Sequence, residues 1–227
     1  MHDRPISEEA LAGASTPDGP ALAELRRVSQ EHDVVVVVGF AEGADHTVYN
    51  SAVVIDRGAT AGTYRKVHLW GEEPRWFTAS SAGPLVVPTS AGTLGVMVCY
   101  DLEFPEWVRQ ARQLGAELVC APVNWPALQR PSSERPLEII KAQASAGCYR
   151  VPIAIADRVG VERGVDWIGG STIIGADGYL LTPAPAGHRG DRGGGRHPRR
   201  RHLDRAAQRR PGRPAPRALR GAVTPAT

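Results

Sequence analysis

Cys99 is the side chain in this sequence whose position best suits covalent chemistry. It ends an apolar run at residues 93–99, and Pro105, which suits the first turn of a helix, follows shortly after it. A side chain on such a strand-to-helix turn is exposed at the edge of the sheet where α/β proteins form their sites. A thiol is a modest nucleophile unless a base or a positive charge activates it, so a partner is required. The alternative is a buried structural thiol, which we favour for Cys120 and Cys148.

Strands and helices alternate around Cys99 and have to position it. Residues 20–32 predict an amphipathic helix, because their apolar residues recur on one helical face. The valine run at 33–40 is apolar on both faces and predicts a central strand in a sheet covered on both sides. Further strands are predicted at residues 46–56, 61–69, 93–101, 117–123 and 151–159, a hairpin at 169–181, and helices at 105–116 and 133–149. This order predicts an α/β domain, with mixed sheets because some strands follow one another directly.

Composition and cysteine spacing exclude several classes of protein. The 227 residues are enough for one domain with a sizeable core. Three widely spaced cysteines form neither a disulfide framework nor a zinc motif, which is typical of a reducing compartment. The first residues lack the apolar segment of a signal peptide, and no apolar run approaches the length of a membrane span. We therefore expect a cytoplasmic globular protein that holds no metal and does not cross a membrane.

The charge divides the chain at about residue 184. Residues 184–227 hold 12 arginines and two acidic residues, whereas residues 1–183 hold 15 basic and 22 acidic residues, so the two parts carry net charges of +10 and −7. The second part is rich in Pro, Gly, Arg and Ala and has no aromatic residue. Such a segment cannot bury enough apolar surface to offset its chain entropy. We predict a domain over 1–183 and a disordered tail over 184–227.

Several sequence motifs occur together in a characteristic order. They are "GTYRKVHLWGEE" (62–73), "GVMVCYDLEFPE" (95–106), "APVNWP" (121–126) and "ADRVGVERGVDWIGGS" (156–171). In this combination the chain resembles the carbon–nitrogen hydrolase (nitrilase) superfamily over roughly residues 18–182, and it looks most like the amidase and carbamoyl-hydrolase branches. The resemblance implies a nitrilase-like α-β-β-α sandwich with mixed β-sheets. It also implies that this sandwich is incomplete, because the first strands of the family have no counterpart here.

The resemblance implies a catalytic set of Cys99, Lys66 and Glu73. Cys99 is then the nucleophile, while Lys66 stabilises the oxyanion and helps to hold the thiolate. Glu73 matches the second glutamate of the family, which supports the lysine, and the adjacent Glu72 is the alternative. Composition agrees for Lys66, because the chain has only two lysines, Lys66 and Lys141, against 25 arginines. A compact ammonium at this position is therefore a distinct choice.

Three further residues match the family's substrate-binding pocket, namely Tyr100, Asn124 and Trp125. Core packing is the alternative for Trp125, and we interpret Asp101 and Arg150 as structural residues that pair buried charges. No metal or organic cofactor is implied. The implied partner is a small-molecule amide or carbamoyl substrate, and the resemblance also implies a homo-oligomer.

The general base of the family has no counterpart in this sequence. It is a glutamate near the end of the second strand, ahead of the helix that matches residues 20–32, and we expect this chain to start too late to contain it. Glu42 follows the valine-rich strand, but the family's glutamate at that position is not the catalytic one. His46 and His68 could accept a proton, although neither matches a catalytic position. We hypothesise that Met1 is an internal start and that the basic tail is read out of frame.

These observations predict a hydrolase of non-peptide carbon–nitrogen bonds. Cys99 would attack an amide or N-carbamoyl carbonyl, less readily a nitrile, and pass through a thioester intermediate. The first alternative is a catalytically inactive fragment of the same family that lacks the general-base glutamate. The second is nucleic-acid binding through the arginine-rich tail. We rank it last, because the tail has no stacking aromatic residue and the domain is acidic.

Overall fold

A computed structural model describes residues 13–44, 47–131 and 134–182. The predicted tail over 184–227 lies outside these residues, as do His46 and the serines, Ser132 and Ser133, at which the second long helix is predicted to open. The strands are β1 Val36–Ala44, β2 Thr47–Asp56, β3 Ala59–Arg65, β4 Leu85–Thr89, β5 Gly92–Val96, β6 Leu118–Val123, β7 Ile153–Asp157, β8 Val159–Glu162, β9 Val165–Ile168 and β10 Thr172–Ile174. The helices are α1 Ala23–His32, α2 Pro105–Gln113 and α3 Leu137–Tyr149.

The first sheet is antiparallel and has the order β1-β2-β3. Arg57 and Gly58 connect β2 to β3, and both adopt positive φ angles, 50° and 80°. Such a turn matches the right-handed twist of a two-residue hairpin. The prediction that the valine-rich run is the central strand is wrong within the described residues, because β2 lies in the middle and β1 at the edge. Periodicity reports which faces of a strand are covered, whereas its place in the sheet depends on distant neighbours.

The second sheet is mixed and has the order β10-β7-β6-β5-β4. Its central strands β5, β6 and β7 run parallel, while β4 and β10 pair antiparallel at the two edges. The predicted mixed sheets are therefore confirmed. Strands β8 and β9 form a separate two-stranded ribbon, which was not predicted, and β4 was not predicted either.

The side chains buried on each face of the two sheets show that the fold has four layers. Leu22 and Leu25 from the first helical segment pack against Val53 and Ile55 on one face of the first sheet. The other face of that sheet packs against the second sheet, and the far side of the second sheet packs against α2 and α3 in one continuous core. Each fully buried Val, Leu or Ile contributes about 1.5–3 kcal/mol. The arrangement is the predicted α-β-β-α sandwich.

The ends of three strands converge on one edge of this sandwich. Lys66 directly follows β3, Asn124 directly follows β6, and Cys99 begins a short 3-10 helix, Cys99–Glu103, after β5. Since β5 and β6 are parallel, their carboxyl ends lie at the same edge of the sheet. Helix α2 starts at Pro105 as predicted, and α3 starts at Leu137 rather than at 133, because Pro136 precedes its first turn. Among the helices in the described ranges, none is long and apolar enough to cross a membrane.

Candidate active site

Cys99 has an unusual backbone conformation for its residue type. Its φ angle is +49°, in the left-handed region that side chains with a Cβ rarely adopt. A residue held there stores about 1–3 kcal/mol of strain, which persists only where the surrounding structure enforces it. Strain of this kind concentrates at functional sites, so the conformation supports the choice of Cys99 over Cys120 and Cys148 as the candidate nucleophile.

The Cys99 thiol lies in a partly buried and charged environment. Burial raises its pKa to about 11, and the nearby carboxylates of Glu73 and Glu103 act in the same direction. The Lys66 ammonium opposes them electrostatically, as does a hydrogen bond with the Asn124 backbone. The thiol itself also donates to the backbone carbonyl of Asn124, at 3.8 Å. The structure therefore brings the thiol within electrostatic reach of both predicted partners, Lys66 and Glu73.

Lys66 and Glu73 form a buried ion pair. The ammonium of Lys66 lies 2.7 Å from Oε2 and 3.0 Å from Oε1 of Glu73, and the lysine side chain has no exposed surface. The backbone N–H of Trp70 also donates to Glu73, at 2.7 Å. The alternative glutamate, Glu72, pairs instead with Arg75 at 2.6 Å. Glu73 is thus the glutamate that contacts the lysine.

The three residues predicted to bind substrate have different surroundings. Asn124 is exposed, Tyr100 is half-buried, and Trp125 is 2% exposed and packs within the main core.

Asp157, which ends β7, accepts hydrogen bonds from the backbone N–H groups of Trp125 at 3.1 Å and of Gly170 at 2.7 Å. It therefore anchors the loop whose Asn124 carbonyl contacts the thiol. Burial raises the pKa of Asp157, while these backbone hydrogen bonds oppose the shift.

Comparison with known proteins identifies the family. A family model described as carbon-nitrogen hydrolase matches residues 3–190. The chain belongs to this family. A probable nitrilase of Schizosaccharomyces pombe is 34% identical over 168 residues, which cover 72% of this chain and 60% of that protein. An N-carbamoylputrescine amidase of Oryza sativa subsp. japonica is 31% identical over 177 residues, which cover 71% of this chain and 59% of that protein.

Solved structures of carbon–nitrogen hydrolases share the fold. One from Helicobacter pylori G27 has a TM-score of 0.67 and 30% identity, over 74% of this chain and 64% of that chain. A variant amidase from Nesterenkonia sp. AN1, which carries the acetamide moiety of fluoroacetamide covalently at its active-site cysteine, has a TM-score of 0.63 and 30% identity, over 71% of this chain and 60% of that chain. The chain spans about 60% of the length of the curated relatives. Its architecture is consistent with an incomplete nitrilase fold.

Glu42 is poorly suited to act as the base of this carbon–nitrogen hydrolase chain. It is buried, accepts two hydrogen bonds from Arg65 at 2.7 and 3.0 Å, and accepts a third from the Ser51 hydroxyl at 2.6 Å. Burial would raise its pKa, but the hydrogen bonds from Arg65 and Ser51 outweigh burial and hold the pKa below its usual range. A carboxylate stabilised in its charged form accepts a proton less readily.

Sequence reasoning missed one residue of the site, Asn50, and it named His68 without foreseeing the contact of His68 with Asp101. The Asn50 side chain donates to Glu73 at 2.9 Å, and its backbone carbonyl accepts the N–H of Lys66 at 2.8 Å. His68 lies two residues after Lys66 and is held by Asp101. A signal for Asn50 existed, because a polar amide within an otherwise apolar strand needs a hydrogen-bonding partner.

Two structural interpretations need correction. Arg150 is exposed at the C-terminal end of α3, with φ +54°, so it does not pair a buried charge there. Cys148 is exposed rather than buried, whereas Cys120 is half-buried, packs against the core and has its pKa raised to about 11 by burial. Asp101 is fully buried, as predicted for a structural residue. In the described part of the chain, no group of three or more His, Cys, Asp or Glu side chains could hold a metal ion.

Proposed function

We propose that this chain carries a thiol hydrolase site for non-peptide carbon–nitrogen bonds, with Cys99 as nucleophile and Lys66 and Glu73 as its partners. One observation carries the proposal. A buried ammonium, fixed by a carboxylate, acts on a thiol that the fold holds in a strained conformation at the end of a strand. A buried cation beside a nucleophile is what acyl transfer requires, because negative charge develops on the carbonyl oxygen in the transition state.

The reaction has two covalent steps. Sγ of Cys99 forms a bond to the carbonyl carbon, the carbon–nitrogen bond breaks, and the thiol proton leaves with the nitrogen as ammonia or an amine. Water then attacks the thioester and releases the acid together with the regenerated thiol. The Lys66 ammonium stabilises the oxyanion in both steps, and Glu73 keeps the ammonium oriented.

The substrate class is an amide or an N-carbamoyl compound. This choice rests on the similarity to an N-carbamoylputrescine amidase and to an amidase with an acetamide adduct on its cysteine. Tyr100 follows Cys99 directly in the sequence, and the backbone carbonyl of Asn124 contacts the Cys99 thiol. Both side chains carry polar groups that could orient such a substrate. Trp125 would act from the core, by shaping the wall behind Asn124.

A second candidate is an inactive member of the family, and one observation favours it. The two carboxylates that act on the thiol are both engaged, Glu73 with Lys66 and Glu103 with Lys141 at 2.5 Å. Neither is a good proton acceptor while it is paired. With a thiol pKa of about 11, little thiolate forms at neutral pH, so turnover needs a base, and these two paired carboxylates do not supply it.

A single set of measurements separates the two candidates. Ammonia release from acetamide, butyramide and a series of N-carbamoyl amines is measured with the full chain, with Cys99→Ala and with Cys148→Ala, whose exposed thiol makes it the matched control. Release that Cys99→Ala abolishes and Cys148→Ala preserves supports the hydrolase. If no substrate releases ammonia, yet fluoroacetamide still labels Cys99 in preference to Cys120 by mass spectrometry, the inactive member is supported. Release unaffected by Cys99→Ala would refute the proposed nucleophile.

A further inference from the structure

The carboxylate of Asp101 is fully buried and accepts four hydrogen bonds. Oδ2 accepts the Tyr64 hydroxyl at 2.9 Å and the backbone N–H of Val98 at 3.2 Å. Oδ1 accepts the backbone N–H of His68 at 2.9 Å and the ring nitrogen Nδ1 of His68 at 2.8 Å. Two donors on each oxygen occupy the acceptor sites of this carboxylate and leave it no capacity to bind a substrate.

These four donors come from the two segments that carry the candidate catalytic groups. Tyr64 and His68 lie two residues before and two residues after Lys66, while Val98 lies directly before Cys99. We propose that Asp101 is a positioning residue that fixes the Cys99 turn against the strand end that carries Lys66. The inference rests on the proposed function, since it assigns a role to the relative placement of that thiol and that ammonium.

Aromatic contacts hold the Cys99 turn and the strand end that carries Lys66 rigidly together. The Trp107 indole N–H donates to the Tyr64 hydroxyl at 3.0 Å, which ties helix α2 to the same network. The His68 ring stacks on Phe104, with ring centroids 3.9 Å apart, and meets Trp107 edge-on at 4.9 Å. The Asp101 carboxylate is thus held from three sides, by the end of β3, by Val98 directly before Cys99 and, through Tyr64, by α2.

The same network accounts for the strain at Cys99. A left-handed residue persists only where its surroundings over-determine it. The peptide N–H of Val98, just before Cys99, is fixed by the Asp101 side chain, and the Asp101 N–H donates back to the Val98 carbonyl at 3.1 Å. These two reciprocal bonds close a tight turn around Cys99 and hold its φ angle of +49°.

The experiment measures the reactivity of the thiol rather than turnover. In Asp101→Asn one carboxylate oxygen becomes an NH2 group, so one backbone N–H, that of Val98 or that of His68, loses its acceptor whichever way the amide turns. The charged groups that act on the Cys99 thiol are Lys66, Glu73 and Glu103. Of these groups only the Lys66 ammonium favours the thiolate, and displacing the turn moves the thiol away from it. Iodoacetamide should therefore alkylate Cys99 about tenfold more slowly at pH 8, which is equivalent to a rise of about one unit in the thiol pKa.

Two controls keep the inference falsifiable. Ser29→Ala removes another buried hydroxyl that bonds a backbone N–H, that of Gly58 at 3.3 Å, and it should leave the alkylation rate unchanged. Tyr64→Phe removes the hydroxyl that donates to Asp101 and accepts from Trp107, and it should slow alkylation in the same direction, even if Asp101→Asn does not fold. An unchanged or faster rate in Asp101→Asn overturns the inference, because loss of a negative charge alone would favour the thiolate. An unchanged or faster rate in Tyr64→Phe, which removes no charge, overturns it as well. Since alkylation needs no turnover, slowing is informative even where no amide is hydrolysed.

Discussion

The ion pair between Lys66 and Glu73 allows a sharp prediction about which partner the fold can lose. The Lys66 side chain is completely buried, whereas Glu73 retains 14% of its side-chain exposure and also accepts hydrogen bonds from Asn50 and Trp70. Glu73→Gln therefore leaves a buried ammonium with at most one amide oxygen as its acceptor. Lys66→Met leaves a carboxylate that still has two donors and some contact with water.

These differences between the two side chains set the expected loss of unfolding free energy in each variant. Removing one partner of a buried ion pair costs about 3–5 kcal/mol when the other charge is left uncompensated, and we expect this range for Glu73→Gln. Lys66→Met should cost about 1–2 kcal/mol, because the remaining carboxylate keeps hydrogen bonds and the methionine fills most of the lysine's volume. The double variant removes both charges and should be more stable than Glu73→Gln alone.

Urea unfolding, followed by the fluorescence of the five tryptophans, measures all three variants against the unmodified chain. The unmodified chain should be the most stable and Glu73→Gln the least stable. Lys66→Met should come second, with the double variant close behind it. If Glu73→Gln proves as stable as Lys66→Met, or if adding Lys66→Met to Glu73→Gln lowers the stability further, the reasoning from unequal burial is refuted.

Three other predictions concern pH and packing. Burial raises the pKa of Glu42 but the hydrogen bonds from Arg65 and Ser51 lower it more, so its charge stabilises the fold above about pH 4.3 and this stability is lost as the pH falls through the lowered folded pKa. The urea midpoint should therefore fall between pH 5 and pH 3 more steeply in the unmodified chain than in Glu42→Gln, and equal slopes would contradict this. With a thiol pKa of about 11, alkylation of Cys99 should accelerate about tenfold per pH unit from pH 8 to 10, and a plateau below pH 9 would disprove the raised pKa. A Cβ at Gly95 would lie 3.0 Å from the Cβ of Ala116, so Gly95→Ala should lower the unfolding free energy by about 1–3 kcal/mol, and an unchanged midpoint would show that the segment of Ala116 can shift.

Local patterns predict the elements of this chain where the information is itself local. The helix predicted over 20–32 is observed as a 3-10 turn, Pro20–Leu22, followed by α1, because Pro at the start and apolar periodicity act within the segment. The turn between β2 and β3 follows from Arg57 and Gly58, and α2 ends just before Gly115, whose φ is +101°.

Elements that depend on distant neighbours were not predictable in this way. Strand β4 contains Pro88, which argues against a strand when only the sequence is considered, but β4 is an edge strand, where proline is tolerated. The ribbon of β8 and β9 carries the exposed residues Val159 and Val161 and shows no alternation between buried and exposed positions. The edge position of β1 likewise depends on which strands lie beside it rather than on its own composition.

The sequence by itself determined the candidate chemistry of the site, in that its motifs place a cysteine, a lysine and a glutamate close to element boundaries. Only the tertiary structure decided that Glu73 rather than Glu72 contacts Lys66. It also decided that Arg65, the residue before Lys66, forms an ion pair with Glu42. Neighbouring residues along a strand point to opposite faces of the sheet, so Arg65 and Lys66 meet different partners. Contacts such as that between Asp101 and Tyr64, 37 residues apart, exist because the two sheets pack face to face, and that packing is a property of the whole fold.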